Sequence, residues 1–413
     1  MSAHLKQDEP DTANRLDSMK QGVIGKPLSR VEGLAKVTGT APYAAEYPVD
    51  GCAEGVLVTA TITRGEIVRI DKDSVLDRPG VIAVIDDERL TTRAAQGTAN
   101  EAPQQSPQTV CYWGQPIALV VAETFEQARD AAKHLVVEYR EEPGAPLFPA
   151  EVEAEEQEDE TVRQGDLAQA MSAAAHSVDV TYTTKGHASA AMEPHAAIAE
   201  WDGEKLTVHA SLQMLNYNIT ELADSLGLEE DKVRLVSRFV GGGFGSKLGV
   251  SEETVAASLA AIELQRPVRV VMSRQQVFQC IMRRSETTQR LRLAADTEGR
   301  LTGFGHEALV SNLPGETFAE PVLQSSHFLY GADNRELMLN VARIHLMTAG
   351  SVRAPGEAVG MPALEGAMDV LAEEVGIDPV ELRLRNIPED DPEEGLPFSS
   401  HKLAECLRQG ADA

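Results

Sequence analysis

Paired cysteines are missing from the sequence. The 413-residue chain has four cysteines, and none forms a C-x-x-C pair, because they lie far apart at Cys52, Cys111, Cys280 and Cys406. This spacing excludes a zinc ribbon or an iron–sulfur motif encoded within one short segment. Without a secretory signal, a disulfide framework is not expected either. Any iron–sulfur chemistry is therefore expected on another chain.

Long apolar runs are missing as well. No stretch of about 18 or more uninterrupted apolar residues occurs, so the sequence predicts no membrane span. Residues 1–21 are polar and mixed in charge, without the apolar core of a secretory signal or a twin-arginine pair, and they are predicted to form a flexible segment. These features favour a cytoplasmic location. A periplasmic location is expected only if a partner carries the export signal.

Positive charge is scarce. The chain has 65 acidic and 37 basic residues and a formal net charge of −28. Nucleic acids and anionic lipids are bound through Lys and Arg, so neither is an expected partner. We interpret the acidic surface as a source of solubility, and a cationic partner is the alternative. The densest acidic run, Glu151–Glu160, is predicted to be an exposed linker rather than a metal site.

The patterned parts of the chain predict two successive α/β regions. At roughly 100–200 residues per domain, the length predicts two or three domains. Residues 22–142 are predicted to form a small α/β unit whose helix begins with a capping box of Thr124 and Gln127. Residues 143–162 are the acidic linker, and residues 163–413 form a larger mixed region. The strand-like runs of the first unit are Gly55–Ile62, Gly80–Ile85, Pro116–Ala122 and Val136–Tyr139.

The strongest local signal is the glycine-rich segment Val240–Lys247, which lies between a predicted strand and a predicted helix. Glycines let a ligand approach the backbone closely because no Cβ intervenes, and successive amides can then bind an anion. The segment is not a P-loop, because Ser246 separates Gly245 from Lys247, and it lacks the spacing of a G-x-G-x-x-G fingerprint. The alternative interpretation is a tight turn that only packs.

A second signal lies at Ser351–Glu357, where Arg353 precedes an Ala-Pro-Gly turn and an apolar helical pattern follows. An arginine and backbone amides near the N-terminus of a helix suit an anionic ligand. The alternative is an ordinary turn with a solvated arginine.

Two weaker signals precede the glycine-rich segment. His195 and Glu193 are separated by a proline and have no third ligand nearby, so we expect core hydrogen bonding rather than metal binding. Gln213 follows a predicted strand and has no chemical signature of its own.

In their order and spacing, these segments resemble the molybdopterin subunit of the xanthine dehydrogenase/aldehyde oxidoreductase family, and above all its three-subunit bacterial aldehyde oxidoreductases. The resembling motifs are Met-Glu-Pro-His at 192–195, Gly-Gly-Gly-Phe-Gly-Ser-Lys at 241–247 and Arg-Ala-Pro-Gly-Glu-Ala at 353–358, with an N-terminal block at 30–39 and Gly-Gln-Pro-Ile at 114–117. The resemblance covers the chain from about residue 22 to its end. It implies an α+β fold, with a small α/β hammerhead domain followed by a larger mixed α/β molybdopterin-binding domain.

The resemblance also implies a cofactor, molybdenum-molybdopterin cytosine dinucleotide, and the residues that bind it. These residues are Gln213, Met214, Gly242, Gly243, Phe244, Gly245, Arg353 and Ala354. Those implied to lie at the metal are Gln213, Phe244 and Arg353. The 2Fe-2S clusters and the FAD are expected on an iron–sulfur subunit and an FAD subunit.

No catalytic residue is implied within the chain. The base glutamate of the family belongs to a later segment that has no counterpart in this sequence, and Glu357 is explained by its place at the start of a helix. The second part of the cofactor-binding domain is therefore expected to be missing. A second chain is expected to supply it if the enzyme is active.

The implied activity is the oxidation of a small aldehyde to a carboxylic acid, with water as the oxygen source. Purine-oxidising members carry a glutamate after the lysine of the glycine-rich segment, whereas Leu248 occupies that position here, so an aldehyde is favoured. Three alternatives stay open. They are a xanthine or N-heterocycle dehydrogenase subunit, a truncated non-catalytic fragment, and a nucleotide-binding module without redox chemistry.

Overall fold

The computed structural model describes residues 26–90 and 108–413, so the predicted flexible segment 1–21 lies outside the described residues. The strands are β1 (Ala53–Thr59), β2 (Gly65–Asp71), β3 (Val81–Ile85), β4 (Thr109–Val110), β5 (Pro116–Ala122), β6 (Val136–Glu141), β7 (Glu155–Glu156), β8 (Val162–Gln164), β9 (His176–Thr184), β10 (His187–Ala188), β11 (Ala196–Trp201), β12 (Leu206–Ala210), β13 (Val233–Val236), β14 (Val268–Val271), β15 (Arg283–Arg284), β16 (Thr287–Ala295), β17 (Leu301–Asn312) and β18 (Asn334–Arg343). The α-helices are α1 (Gly33–Val37), α2 (Asp73–Leu76), α3 (Phe125–His134), α4 (Leu167–Ala173), α5 (Leu215–Leu226), α6 (Glu252–Leu264), α7 (Arg274–Cys280), α8 (Glu357–Val375), α9 (Pro379–Asn386) and α10 (Leu403–Asp412). Within the two described ranges, no helix has the length and hydropathy that a membrane crossing requires.

A seven-stranded sheet contains strands from both predicted regions, in the order β13-β12-β11-β14-β1-β5-β3. Strands β1 and β14 pair in parallel, with Ala53 opposite Val268. Strand β5 is buried along its whole length, which explains why its sequence is one continuous apolar run. Backbone hydrogen bonds thus join the N-terminal unit to the later region, and the predicted boundary at 143–162 separates stretches of sequence but not sheets.

Helix α3 and a three-stranded sheet complete the N-terminal unit. The sheet has the order β4-β2-β6, and α3 packs on β1 and β5 with Ala128 and Ala131 buried. The Thr124 hydroxyl accepts the Gln127 amide at 3.3 Å. The predicted capping box forms only by half, because the Gln127 side chain lies against Gly80 instead of returning to the Thr124 amide.

The second large sheet has the order β7-β18-β17-β16-β9, and β8 also pairs with β18. Helix α8 covers one face of this sheet with Leu364, Met368 and Leu371, which follow the helical spacing of an apolar stripe. The apolar helical pattern that follows the Ala-Pro-Gly turn contains two helices, since Gly376 adopts a φ of 79° and ends α8.

The acidic segment 143–162 forms part of the edge of this second sheet. Glu155 and Glu156 are exposed and pair with β18, and the Arg343 side chain donates to Glu155 Oε2 at 2.8 Å. The segment is therefore exposed, as expected of a linker. It also forms an ordered sheet edge, which its acidic composition does not predict.

Helices α5 and α6 cover the inner face of the seven-stranded sheet. Helix α6 is buried over most of its length, as expected for a helix that is apolar on most sides, and α5 ends at the C-cap Gly227 with a φ of 68°. Strands β12 and β13 are parallel, so their carboxyl ends lie at the same edge. Gln213 after β12 and the glycine-rich segment after β13 leave the sheet at that edge, where open α/β sheets bind ligands.

Candidate cofactor-binding site

The glycine loop (residues 240–247) connects β13 to α6 through unusual backbone conformations. Gly242 and Gly245 have φ angles of 102°, and Phe244 has a φ of 54°. A left-handed conformation costs a residue with a side chain about 1–3 kcal/mol, and such strain concentrates at functional sites. The Phe244 side chain is 44% exposed, although it is a large apolar group.

Three successive amides of the glycine loop, those of Gly242, Gly243 and Phe244, have no hydrogen-bond partner among the described residues. The amides on either side are used, since Gly241 N–H donates to a carboxylate at 2.7 Å and Gly245 N–H donates to a side-chain amide at 3.1 Å. A row of unpaired amides in turn-like backbone is an arrangement that binds anions.

Gln213 contacts this loop from the end of β12. Its backbone N–H donates to Lys247 O at 2.7 Å, and its side-chain Oε1 is the acceptor for Gly245 N–H at 3.1 Å. A Cβ on Gly243 would lie 2.1 Å from Gln213 Oε1, so glycine is required for this approach. The Gln213 Nε2 group is left as a donor without a partner among the described residues.

The arginine turn (residues 351–357) lies directly against the glycine loop. Arg353 N–H donates to Phe244 O at 2.8 Å, and a Cβ on Gly245 would lie 1.9 Å from Ser351 O. The side chain of Arg353 is exposed, and no described residue accepts a hydrogen bond from its guanidinium. The turn therefore brings an unpaired positive charge to the loop with the unpaired amides.

A buried carboxylate holds the beginning of the glycine loop. Glu193 Oε2 accepts hydrogen bonds from Gly241 N–H at 2.7 Å, from the Ser211 hydroxyl at 2.6 Å and from Lys247 Nζ at 2.8 Å. The Lys247 side chain is fully buried and that of Glu193 is 10% exposed. This ion pair connects both ends of the loop to the end of β12.

Burial and hydrogen bonds determine the charges of the Glu193–Lys247 ion pair. Burial alone would raise the pKa of the Glu193 carboxyl, but hydrogen bonds from Lys247, Ser211 and Gly241 outweigh it and lower the pKa. Burial lowers the pKa of the Lys247 ammonium, and Glu193 opposes that effect. Lys247 Nζ has three oxygen acceptors within 3.2 Å. Only the charged ammonium has three donors, so the pair is ionised at neutral pH.

A second buried ion pair lies beneath the arginine turn. Arg284 Nη1 lies 2.8 Å from Glu320 Oε1, and the two side chains are 3% and 0% exposed. The Arg284 guanidinium also donates to three consecutive carbonyl oxygens of the turn, those of Val352 at 3.0 Å, Arg353, and Ala354 at 3.2 Å. One side chain thereby holds the backbone of the turn on both sides of Arg353.

The Glu320 carboxylate accepts fewer hydrogen bonds than that of Glu193. Its Oε1 accepts Gly356 N–H at 2.7 Å in addition to Arg284, but its buried Oε2 has no partner among the described residues. Burial raises the pKa of the Glu320 carboxyl, and the hydrogen bond from Gly356 and the charge of Arg284 only partly oppose this.

His195 lies in the core below the glycine loop, as the sequence predicts. It is 2% exposed, and its Nε2 lies 2.9 Å from Ser246 O. Burial lowers the pKa of its imidazole to about 4, so the ring is neutral at pH 7 and Nε2 is a donor. Throughout residues 26–90 and 108–413, no group of His, Cys, Asp and Glu side chains is arranged to hold a metal ion.

The structure brings together the residues that the sequence analysis assigned to the cofactor. Gln213, Gly243, Phe244, Gly245 and Arg353 are joined by the contacts described above. Their chain neighbours complete the set: Gly242 in the glycine loop, Ala354 with a φ of 52°, and Met214 just before α5.

Sequence reasoning missed the support beneath the arginine turn. Arg284 is one of two adjacent arginines and Glu320 lies in a segment without a motif, so neither residue carries a local signal of burial. The sequence does carry a signal for Glu193 and Lys247, because each is a charged residue inside a motif.

The fold and the site define a class of protein that presents unpaired amides and a guanidinium, groups suited to an anionic ligand, at the edge of a mixed sheet. The chain matches the family model described as molybdopterin cofactor-binding domain over residues 150–387. It matches the model described as aldehyde oxidase and xanthine dehydrogenase, a/b hammerhead domain, over residues 38–143. The chain therefore belongs to the molybdopterin-binding subunits of the aldehyde oxidase/xanthine dehydrogenase family. The predicted fold, a hammerhead domain followed by a larger cofactor-binding domain, is confirmed.

Similar proteins share most of this chain but extend well beyond it. The aldehyde oxidoreductase molybdenum-binding subunit PaoC of Escherichia coli K12 is 41% identical, over 99% of this chain and 56% of PaoC. The nicotine 6-hydroxylase large subunit of Paenarthrobacter nicotinovorans is 30% identical, over 90% of this chain and 49% of that protein. The solved aldehyde oxidoreductase of Desulfovibrio gigas has a TM-score of 0.82 at 25% identity, over 93% of this chain and 46% of that one. The chain spans about half the length of each of these three proteins.

The residues of the site fit a molybdopterin cofactor. Such a cofactor is anionic, and the loop offers three unpaired amides together with the unpaired guanidinium of Arg353. The absence of a Cβ at Gly243 leaves the space in which the Gln213 amide lies. The unpaired amides and guanidinium are features of an anion-binding site, and a turn that only packs does not need them.

Proposed function

We propose that this chain is the molybdenum-cofactor-binding part of a hydroxylase that oxidises aldehydes to carboxylic acids, with water as the oxygen source. The observation that carries the proposal is the hydrogen-bonded junction of Gln213, the glycine loop and the arginine turn. The name of PaoC, an aldehyde oxidoreductase, supports the choice of reaction. We further propose that electrons pass to an iron–sulfur subunit and an FAD subunit, and that the assembly is cytoplasmic.

The chain's own residues would bind and orient the cofactor, which supplies the redox chemistry when bound. The amides of Gly242, Gly243 and Phe244 would bind its anionic part, which we propose to be a cytosine dinucleotide. Gln213 Nε2 would donate a hydrogen bond to an oxygen at the metal. The exposed Phe244 ring would form a wall of the substrate space and exclude water. Arg353 would add a positive charge near the metal.

The residue after Lys247 favours an aldehyde over a purine. Leu248 is half-buried and apolar, so it offers no hydrogen bond to a heterocycle, and a site that lacks such a bond discriminates poorly in favour of polar rings. A heterocycle hydroxylase is the second candidate, because a nicotine 6-hydroxylase subunit is 30% identical. A non-catalytic fragment is the third.

Steady-state kinetics on the complex purified from its native host would separate these candidates. We expect a higher kcat/KM for benzaldehyde than for hypoxanthine or nicotine, and a higher value for either heterocycle would refute the aldehyde assignment. Leu248→Glu should lower the preference for benzaldehyde, whereas Leu248→Met, the matched apolar control, should retain it. A complex that contains the cofactor but oxidises none of the three would support the non-catalytic reading.

A further inference from the structure

A groove lies between α3 and α7, on the face of the seven-stranded sheet opposite the one that α5 and α6 cover. The volume of this α3 groove is about 550 Å³, within the range of small-molecule sites. Val56 and Val58 of β1 and Val271 of β14 line its floor. Their chain neighbours Leu57 and Val270 pack in the core beneath α5 and α6. Because successive residues of a strand point to opposite faces, the three valines belong to the other face. None of the residues assigned to the cofactor lines the groove.

Helix α3 forms one wall of the α3 groove. Ala128 packs on Val56 and fixes the helix to the sheet, and the groove is lined by Phe125, Arg129 and Lys133. These three residues follow one another at intervals of four, which places them on one face of the helix. The Phe125 side chain is 38% exposed, although it is a large apolar group. The wall therefore combines an accessible aromatic ring with two cations.

The two cations of this wall are available to a ligand. Neither Arg129 nor Lys133 forms an ion pair with any residue that the structure describes. Asp130, which lies between them in the sequence, pairs with Arg78 at 2.5 Å instead. The guanidinium carbon of Arg129 lies 5.9 Å from the centre of the Phe125 ring, and such a contact holds a guanidinium beside an aromatic ring.

The opposite wall is neutral and polar. It is formed by Gln275, Gln276 and Gln279 of α7, of which Gln276 is already committed, since its Nε2 donates to Leu57 O at 2.9 Å. The side chains of Gln275 and Gln279 have no hydrogen-bond partner among the described residues. No carboxylate of the described residues lines the groove. In a chain with 65 acidic and 37 basic residues, a groove with two cations and no carboxylate favours an anion.

We propose that the α3 groove binds a small aromatic carboxylate. The carboxylate would lie between Arg129 and Lys133, because a guanidinium matches its two oxygens in geometry. The ring would lie on the valine floor beside Phe125, where it loses contact with water and meets another aromatic ring. The free amides of Gln275 and Gln279 could donate to the carboxylate from the other wall. The proposal does not depend on the proposed redox function.

Fluorine NMR of 4-fluorobenzoate offers a direct test on the full chain. We would follow the broadening of its resonance as the protein is added, and its displacement by unlabelled benzoate at constant ionic strength. Benzyl alcohol keeps the ring without the charge, and acetate keeps the charge without the ring. We expect saturable broadening that benzoate reverses, and at least about tenfold weaker competition by benzyl alcohol and by acetate.

Charge variants then locate the binding. Arg129→Gln/Lys133→Gln should weaken the binding of 4-fluorobenzoate by about tenfold or more. The matched control Lys185→Gln/Arg408→Gln, which removes two other exposed cations that form no ion pair with a described residue, should not. Arg353→Gln should leave the affinity unchanged, because it alters only the cofactor site.

A ring variant tests the apolar half of the groove independently. Phe125→Ala should weaken the binding about threefold or more, because it removes the ring contact and the group that holds Arg129. Thermal unfolding of each variant checks that it is folded. The proposal is overturned by an absence of saturable binding, by competition from benzyl alcohol or acetate as strong as that from benzoate, by equal losses in the two double variants, or by a loss in Arg353→Gln.

Discussion

Beneath the glycine loop, the charged group that touches the loop backbone is a carboxylate, whereas beneath the arginine turn it is a guanidinium. Glu193 accepts the amide of Gly241, but Arg284 covers three consecutive carbonyl oxygens. The carbonyls of the arginine turn are thereby occupied by Arg284, while the middle amides of the glycine loop stay unpaired among the described residues. Two oppositely built ion pairs therefore leave both loops with groups suited to a negatively charged ligand.

The two ion pairs also differ in how many hydrogen bonds the carboxylate keeps when its cation is removed. Without Lys247, Glu193 keeps the donors Ser211 and Gly241 and some contact with solvent. Without Arg284, Glu320 keeps only Gly356 and remains fully buried. The arginine turn is therefore expected to be the more sensitive of the two loops.

The largest expected effect follows removal of the guanidinium. Arg284→Met should lower the free energy of unfolding by about 3–5 kcal/mol, because it leaves a buried carboxylate without its cation. Urea denaturation measures this change. Arg290→Met is the matched control, since Arg290 pairs with Asp179 where both side chains are about half exposed, and it should cost about 1 kcal/mol or less. Equal losses in the two variants would show that burial does not set the cost.

A smaller loss is expected beneath the glycine loop. Lys247→Met should cost about 1–3 kcal/mol, since Glu193 keeps two close donors and the loss is mainly that of hydrogen bonds to a charged group. The same urea experiment gives the ranking of the two variants. A loss in Lys247→Met that exceeds the loss in Arg284→Met would reverse the comparison.

Two glycines of the same loop should differ in their response to a methyl group. In Gly245→Ala, the Cβ would lie 1.9 Å from a backbone oxygen, Ser351 O, at a φ of 102°, so we expect a loss of about 1–3 kcal/mol from strain. In Gly243→Ala, the Cβ meets the end of the Gln213 side chain, which can move aside. The stability loss should be below about 1 kcal/mol.

Measurement of the molybdenum content distinguishes a loss of cofactor from a loss of stability. Gly243→Ala should lose cofactor while its thermal midpoint changes little, because Gln213 is displaced from the loop. Retention of both molybdenum and stability in this variant would contradict the role given to Gln213.

The smallest expected effect concerns the pH dependence of stability, which should have opposite signs for Glu193 and Glu320. The lowered pKa of Glu193 means that its contribution to stability is present above the ordinary carboxyl value of 4.5 and is lost as the pH falls through the folded-state pKa. The raised pKa of Glu320 means the reverse: its contribution is present below 4.5 and is lost as the pH rises through the folded-state pKa. Glu193→Gln and Glu320→Gln should therefore differ from the parent protein with opposite pH slopes, each below about 1.4 kcal/mol per pH unit. Urea unfolding across the acid to neutral range would measure them, and slopes of the same sign would contradict the account.

Local patterns predicted the elements and the loops well, for identifiable reasons. Strand β5 was predicted to the residue because a strand buried on both faces is one apolar run. The pairing of β1 with β14 was not predictable in this way, since Ala53 and Val268 lie far apart in the sequence. Gln127 was predicted to complete a capping box, but a tertiary contact with Gly80 holds its side chain instead.

In the site too, local sequence patterns do not predict the contacts that depend on the tertiary fold. The glycine loop and the arginine turn are visible in the sequence because close approach demands glycine and a rigid turn demands proline. Arg284 and Glu320 are not visible, because a charged residue is normally exposed and only the tertiary fold buries these two. The resemblance to a family supplied the cofactor, which no local pattern specifies.

Molybdenum and pterin analysis of the protein purified from its native host, with its co-purifying chains identified, would show whether the supported loops hold the cofactor. We predict near-stoichiometric molybdenum and a cytosine dinucleotide, together with co-purifying iron–sulfur and flavin subunits. We also predict that Arg284→Met loses molybdenum and that Arg290→Met retains it. A folded protein without molybdenum or pterin, or equal metal content in the two variants, would contradict the claim that the supported loops form a cofactor site.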